Sequence, residues 1–353
     1  MKYKLAQVDD IIIAFNSIQQ KQDSTNANIS RLSNVVSSIN TKLANQINFL
    51  KTQVYLFSSD MGWLGIWDTT EGYLGFVNVG VSTSAKIVTG RKTENIFLLG
   101  ENGAKIFVID PYLPGIIATL PFNSVASFTV SPDGQSLFVS ENNSLTLTEV
   151  EVNSGRTLRK LTLPGTAHHL TMHPEAYRIY FSVPETKAVY NVQQLSGEVS
   201  KVFDLPNDAE KITHYKFGEQ FGLLVLSGSG DTAKVTKWDK GTNTTSTVDI
   251  ANAVDIVANP FTGYYYVASQ QNILFLSPEG AVLQTVNLGD TAQQLTLTAD
   301  GKLLTAIFSA GKDAVIVDTI TGITYTGPGT VYPPTQQTAT LLLAQAKLGF
   351  SSN

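Results

Sequence analysis

Short apolar segments alternate with polar turns from about residue 54 to near the end of the chain. In one period of this pattern, four segments are rich in Val, Leu, Phe and Thr and are bounded by turn-forming residues: 126–132, 136–140, 145–152 and 156–164. Segments of this length and composition predict β-strands, because β-branched and aromatic side chains suit a pleated, half-buried surface. The period therefore predicts a unit of four strands, which we call A to D.

The turn between strands C and D of this unit recurs seven times. Its clearest copy is the segment Val317-Asp318-Thr319-Ile320-Thr321-Gly322. The glycines that close the copies are 39 to 44 residues apart: Gly72, Gly115, Gly155, Gly197, Gly241, Gly280 and Gly322. A tight hairpin needs a positive φ, which Gly adopts without steric cost. Because a period of about 40–45 residues is typical of a propeller blade, we expect an all-β, seven-bladed β-propeller.

Two further motifs resemble known propeller repeats. The A–B segment from Phe128 to Ser140, with its turn Ser131-Pro132-Asp133-Gly134, is similar to the YVTN-type repeat. Trp67-Asp68 and Trp238-Asp239 end C strands, where WD40 repeats carry their Trp-Asp pair, but the Gly-His half of that repeat is missing. The resemblance covers roughly residues 54–345, implies a propeller, and brings no active-site residues with it.

The first blade has strands B, C and D but no strand A before them, since the pattern begins at Val54. The other A strands are expected near Lys86, Ala126, Ala167, Lys211, Ala253 and Ala292. We expect a C-terminal strand at about 336–345 to supply the missing strand and to close the ring, which removes the open sheet edges. The alternative is a C-terminal helix over 338–348, because Ala, Leu, Gln and Lys favour one.

The first fifty residues carry a different pattern, a heptad. Its a and d positions, nine of them apolar, are Val8, Ile11, Phe15, Ile18, Gln22, Thr25, Ile29, Leu32, Val36, Ile39 and Leu43. So narrow an apolar seam predicts an N-terminal α-helical coiled coil, and Ile and Val at both a and d favour three or more strands. We expect a parallel homotrimer, while the alternative is a single amphipathic helix lying along the propeller. The predicted organisation is a stalk over 1–53, a propeller over 54–345 and a tail over 346–353.

Composition narrows the possible chemistry. The net charge of −5 gives no reason to expect nucleic-acid binding, and the lack of Cys excludes disulfides and thiolate metal sites. No apolar window is long enough for a membrane span. Asp9 and Asp10 interrupt the apolar run that a secretory signal would need, so we expect none.

The four histidines are the main candidates for catalysis. His168, His169 and His173 lie on one predicted A strand, where His169 and His173 should share a face, and His214 lies on the next. We favour a polar inner strand that lines the central channel, because the column of His169 also holds Ser127, Asp255 and Gln294. A metal-dependent propeller hydrolase using His169, His173 and His214 is the alternative. We expect no enzyme, no catalytic residue, no metal and no cofactor.

A short trimeric stalk followed by a β-rich head resembles the fibres and spikes of viruses, including phages and archaeal viruses. That resemblance implies a non-enzymatic structural protein on the virion surface, with the N-terminus bound to other virion proteins. The head would serve host attachment through a surface protein or glycan, or would serve particle assembly. A cellular surface adhesin or an interaction scaffold, extracellular or at the cell surface, is the alternative.

Strand direction predicts which face of the head meets a partner. The B–C and D–A loops share one face, and the stalk should join the opposite one, so these loops point outward. Acids, amides and one aromatic residue on them are the candidate binding residues: Asp60, Trp63, Glu101, Asn102, Glu141, Asn142, Asn143, Glu185, Asp208, Asp231 and Asp290.

Overall fold

A computed structural model of the chain describes most of the residues beyond position 52 and part of the N-terminal segment. The described residues are 15–26, 28–30, 32–33, 36, 53–58, 63–68, 72–79, 86–89, 95–100, 103–110, 115–173, 177–217, 220–259, 261–298, 301–308, 315–326 and 341–346. The chain divides into two compact units, Met1–Lys51 and Thr52–Asn353.

In the first unit, every described residue is α-helical: 15–26, 28–30, 32–33 and 36. The helix that the heptad predicts is therefore present where the structure describes it. All of these residues are exposed, including the apolar seam positions. The predicted seam residues Val8, Ile11, Ile39 and Leu43 lie outside the described residues. No described helix is both long enough and apolar enough to cross a membrane.

The second unit consists of short β-strands. Its first three are β1 (Gln53–Ser58), β2 (Trp63–Asp68) and β3 (Gly72–Asn78). The next twelve are β4 (Ile87–Thr89), β5 (Ile96–Gly100), β6 (Lys105–Asp110), β7 (Gly115–Pro121), β8 (Val125–Val130), β9 (Ser136–Glu141), β10 (Thr146–Glu151), β11 (Thr157–Thr162), β12 (His168–Met172), β13 (Arg178–Val183), β14 (Ala188–Gln193) and β15 (Val199–Asp204). The remaining strands are β16 (Ala209–Phe217), β17 (Gln220–Ser227), β18 (Lys234–Asp239), β19 (Thr244–Asp249), β20 (Ala253–Ala258), β21 (Tyr265–Ser269), β22 (Asn272–Leu276), β23 (Val282–Asn287), β24 (Ala292–Leu297), β25 (Leu303–Phe308), β26 (Val315–Asp318), β27 (Thr324–Thr326) and β28 (Leu341–Ala346).

These strands form a β-propeller. Six four-stranded antiparallel sheets each use four strands that are consecutive in the chain, beginning with β4, β8, β12, β16, β20 and β24. A further described sheet has the order β28-β1-β2-β3, in which Val54 faces Ala346 across the β1–β28 pair. Residues 341–346 are thus strand rather than helix, and the chain end pairs with the start of the sheet region.

The core lies between neighbouring blades. One cluster joins Tyr215 and Leu224 of the β16–β19 blade to Ile256 and Val267 of the next blade. Outer strands are more exposed to solvent than inner ones, since five of the six residues of β19 are exposed whereas all five of β21 are buried. The alternation of the sequence therefore places apolar side chains between sheets, where their burial stabilises the ring.

The predicted turn glycines divide into two groups. Gly155, Gly197, Gly280 and Gly322 have φ of 68°, 74°, 94° and 72°, so these hairpins use the conformation that Gly tolerates best. Gly241 does not have a positive φ, and Asn243 of the same turn adopts 54° instead. The position predicted for the left-handed residue was wrong in this turn, because Asn also tolerates that conformation.

Candidate binding site on the loop face

The connections between second and third strands, and those between successive blades, share one face of the propeller because the strands are antiparallel. We call it the loop face. Of the residues predicted to bind there, Asp60, Glu101 and Asn102 lie outside the described residues. Trp63 is the first residue of β2.

Three of the predicted binding residues form hydrogen bonds between loops. The Glu141 carboxylate accepts a hydrogen bond from the Asn123 amide at 2.8 Å, and the Asn142 side chain donates to Ser124 Oγ at 2.7 Å. The Glu185 carboxylate accepts a bond from the Thr166 amide at 3.3 Å. These side chains link each B–C loop to the D–A loop beside it, which is a structural role.

The other described candidate binding residues lie in different local environments. Asp290 Oδ1 accepts a bond from the Thr291 amide at 2.7 Å, and the Asp208 carbonyl accepts one from Gly228 at 2.8 Å. Asp231 lies exposed in a 3-10 turn, Gly230–Thr232, and Asn143 is exposed with φ 58°. The structure brings Asp208 and Asp231 to the same blade, but it does not gather the described candidates into one site.

A cavity of about 640 Å³ opens on this face between the β16–β19 and β20–β23 blades. It is lined by Glu210, Gly228, Ser229, Gly230, Asn252, Ala253, Val254, Gln270, Gln271, Asn272, Asn287 and Thr291. We call it the interblade cavity. Of the described residues that line it, five carry side-chain amides, one carries a carboxylate and none carries a cation.

The walls of the interblade cavity come from two hairpins and two inter-blade loops. Gln270 and Gln271 form the two-residue turn between Ser269 and Asn272, with φ of 51° at Gln270. The backbone amide of Asn252, whose φ is 56°, donates to the Gly230 carbonyl at 2.7 Å and joins the two blades. The backbone therefore holds these amide side chains at fixed positions along the cavity.

Sequence reasoning did not single out the residues of the interblade cavity. A local signal existed, since Gln270, Gln271 and Asn272 are three consecutive amides at a predicted turn. Gly228 to Lys234 resembles a phosphate-binding loop only loosely, and the structure places this segment between two strands. Nothing local indicated that these two loops, about forty residues apart, meet.

The inner strands carry a second polar group, near the propeller axis. Lys86 Nζ donates to Ser127 Oγ at 3.1 Å, to the Phe128 carbonyl at 2.8 Å and to the Leu170 carbonyl at 3.2 Å. Ser127 Oγ also accepts a bond from the Leu170 amide at 2.9 Å. Burial, with the charge of Lys211 as the second cause, lowers the pKa of Lys86 to about 7. Lys86 thus ties three blades together.

Asp255 plays a comparable part on the other side of the ring. Its carboxylate contacts Lys211 Nζ at 2.5 Å and accepts a bond from the Leu295 amide at 2.7 Å. Ser127 and Asp255 are buried, so the column predicted to line a solvated channel is, at these two positions, an inter-blade network. Burial lowers the pKa of His169 to about 4, with the charge of Lys86 as the next cause.

The histidines do not form the predicted arrangement. The strand register shifts between His168 and Thr171, and His169 has φ 51°, so the alternation that would place His169 and His173 on one face is broken. His173 is buried beside Phe221, with ring centroids 3.9 Å apart, and 5.9 Å from the ring of His214. Burial, with the neighbouring His173 as the second cause, lowers the pKa of His214 to about 3.

This aromatic environment suits packing better than metal binding. The described residues contain no group of three or more His, Asp or Glu side chains placed to hold a metal ion.

The fold is similar to solved structures of low sequence identity. Dihydro-heme d1 dehydrogenase NirN in complex with DHE matches 78% of this chain and 72% of its own, with a TM-score of 0.62 and 9% identity. Hydrazine synthase of Kuenenia stuttgartiensis matches 68% of this chain and 78% of its own, with a TM-score of 0.55 and 13% identity.

A functionally unknown protein from Desulfotomaculum acetoxidans matches 77% of this chain and 94% of its own, with a TM-score of 0.62 and 13% identity. At such identities these likenesses show the fold alone. No protein-family model matches the sequence, and no curated protein does.

Proposed function

We propose that this chain is a non-enzymatic attachment protein of a virion, in which a self-associating helical stalk carries a β-propeller head. The N-terminus would join other virion proteins, and the loop face of the head would meet a host surface protein or glycan. A cellular surface adhesin or an interaction scaffold is the second candidate, since the same stalk and loop face would serve it.

The observation that carries the proposal is the exposed seam of the N-terminal helix. Phe15, Ile18, Ile29, Leu32 and Val36 are between 47% and 64% exposed in the single chain, and they recur at heptad a and d positions. Side chains of this kind contribute roughly 1.5–3 kcal/mol each when fully buried. Identical helices from other copies of the chain supply a matching seam, which supports a parallel homotrimer.

Polar residues inside the seam support a defined register and number of strands. Gln22 and Thr25 occupy consecutive a and d positions, and Thr25 Oγ1 donates to the Lys21 carbonyl at 2.8 Å. Polar residues at a and d positions weaken a coiled coil but select its strand number and alignment. Several heads held side by side would raise the effective concentration of a weak binding site, which suits attachment.

For the head, we propose that the β28-β1-β2-β3 sheet is a seventh blade that closes the ring. The β1–β28 pairing supports this, because a propeller without such a closure would leave two open strand edges. A non-enzymatic role is supported by the inter-blade bonds of Lys86 and Asp255, which leave those side chains little freedom for catalysis.

Charged substitutions in the seam test whether the N-terminal helix forms an oligomeric stalk. Replacing Ile29 and Leu32 by Asp should convert the oligomer to monomers with folded heads, because a buried charge at each site costs several kcal/mol. Sedimentation measures the mass, and circular dichroism reports on the head. The matched control replaces Ser24 and Ser30 by Asp, which adds the same charges at outward heptad positions and should leave the oligomer intact. An unchanged oligomer in the seam variant would show that the helix does not associate through this seam.

Particle composition tests the biological role. An antibody against the head should detect the protein in purified virus particles and label their surface in electron micrographs. Detection only on the cell envelope, with none in particles, would favour the adhesin.

A further inference from the structure

We propose that the interblade cavity binds an uncharged, hydroxyl-rich glycan. This inference rests on the proposed attachment function, for which it names the class of receptor. It is carried by the amides that line the cavity, by the charges around it and by its position on the loop face.

The size of the cavity fits an oligosaccharide. Its volume of about 640 Å³ lies within the range of roughly 300–1,000 Å³ that small-molecule sites occupy. Two adjacent blades form it, and the bond from the Asn252 amide to the Gly230 carbonyl spans their junction. A site built on strand ends and short turns changes its conformation little on binding. The binding of a ligand therefore costs little conformational entropy of the protein.

The lining offers the hydrogen-bond groups that sugar hydroxyls use. Each amide presents both donors and an acceptor, which matches hydroxyls that donate and accept at once. The side chains of Asn252, Gln270, Gln271 and Asn272 make no hydrogen bond to any other residue that the structure describes. Elsewhere on this face, comparable side chains such as Asn142 are engaged in loop contacts. The cavity therefore keeps these four amides available for a ligand, whereas Asn287 Oδ1 accepts a bond from the Gly289 backbone amide at 2.8 Å.

The charge of the lining selects among glycans. Among the described residues that line the cavity, Glu210 is the one charged side chain, and none is Lys, Arg or His. A sialylated or sulfated sugar would meet a carboxylate with no cation to offset its own charge, which is unfavourable. A neutral sugar would instead donate hydroxyl hydrogens to Glu210, as charge-assisted bonds.

An apolar surface completes the site. Val254 is 37% exposed at the cavity, and Ala253 lies buried beside it. Sugar rings have C–H faces that gain from contact with apolar side chains, while their hydroxyls point outward to polar groups. The combination of amides, one carboxylate and a small apolar patch matches the two kinds of surface on a neutral sugar.

Binding of the full-length oligomer to a printed array tests the inference. The array carries neutral mannose, glucose, galactose and N-acetylglucosamine oligosaccharides beside sialylated and sulfated ones. Gln271→Ala removes one amide, and Asn252→Gly removes another while keeping the positive φ that the backbone needs. The matched control is Asn123→Ala, which removes an exposed side-chain amide on the same face that does not line the cavity.

The expected result is binding to neutral glycans that each cavity variant weakens by about tenfold, with unchanged melting temperature and no effect of Asn123→Ala. Binding confined to sialylated or sulfated glycans, or equal in all variants, would overturn the inference.

Cell binding separates this inference from the attachment function. Labelled protein is added to a panel of bacterial and archaeal cells. If it adheres to cells, loses this binding after protease treatment of the cells and binds no glycan on the array, the glycan proposal is wrong but the attachment function stands. Failure to bind any glycan or any cell would remove both.

Discussion

Lys86 gives the sharpest test of how the propeller is held together. Its ammonium group donates three hydrogen bonds to two neighbouring blades, yet burial and the charge of Lys211 lower its pKa from 10.5 to about 7. Between these two values the unfolded chain keeps a proton on Lys86 that the folded chain has released. Unfolding then takes up a proton, so the free energy of unfolding should rise as pH increases from about 7.

The size of this effect follows from linkage. One proton contributes about 1.4 kcal/mol per pH unit, so the rise between about pH 7 and pH 9.5 has an upper limit of about 3 kcal/mol. Lys86 is half-buried rather than fully enclosed, and solvent screening reduces the expected rise to about 1–2 kcal/mol. The lowered pKa values of His169 and His214 lie below this window, and the raised values of Tyr215 and Tyr265 lie above it.

Urea denaturation followed by the fluorescence of Trp238 measures this rise at several pH values and constant ionic strength. In Lys86→Met the pH dependence should vanish, whatever the absolute stability of the variant. The control Lys160→Met removes an exposed lysine from β11 and should keep the rise of the parent chain. A flat or falling stability in the parent, or the same rise in Lys86→Met, would refute the reasoning.

One substitution tests the packing, and one truncation tests the ring. Gly222→Ala would place a Cβ 1.9 Å from a carbonyl oxygen of the neighbouring strand, and we expect a loss of about 1–3 kcal/mol or more in thermal or urea unfolding. Gly241→Ala meets its nearest atom at 3.3 Å and should cost much less, so equal effects would contradict this account of packing. Truncation after Gly327 removes β28 and should abolish cooperative unfolding or cause aggregation, because β1 becomes an open edge. A truncated chain as stable as the parent would show that β28 does not close the ring.

Local chemistry explains why much of the fold could be predicted. The four-strand unit follows from alternation within five or six residues, and the hairpins at Gly155, Gly197, Gly280 and Gly322 follow from φ values that Gly adopts most easily. The A strands near Ala126, Ala253 and Ala292 are present for the same reason.

The candidate site depended on contacts between distant residues. Glu141, Asn142 and Glu185 were predicted to bind a partner, but each hydrogen bonds to the neighbouring loop. Asn252 and Gln271 were not predicted, although they line the interblade cavity. The sequence shows that a loop residue is polar. Its neighbours in space decide whether its side chain is already hydrogen-bonded within the protein.

By itself, the sequence determined the repeat, the strand alternation and the heptad of the N-terminal helix, because each depends on residues a few positions apart. Only the tertiary structure decided where the side chains of the inner strands go. At His169 a positive φ and a register shift redirect the strand, and the buried Ser127 and Asp255 bond to backbone amides of the next blade. Those outcomes depend on polar groups about forty residues away along the chain, which no local pattern of one blade contains.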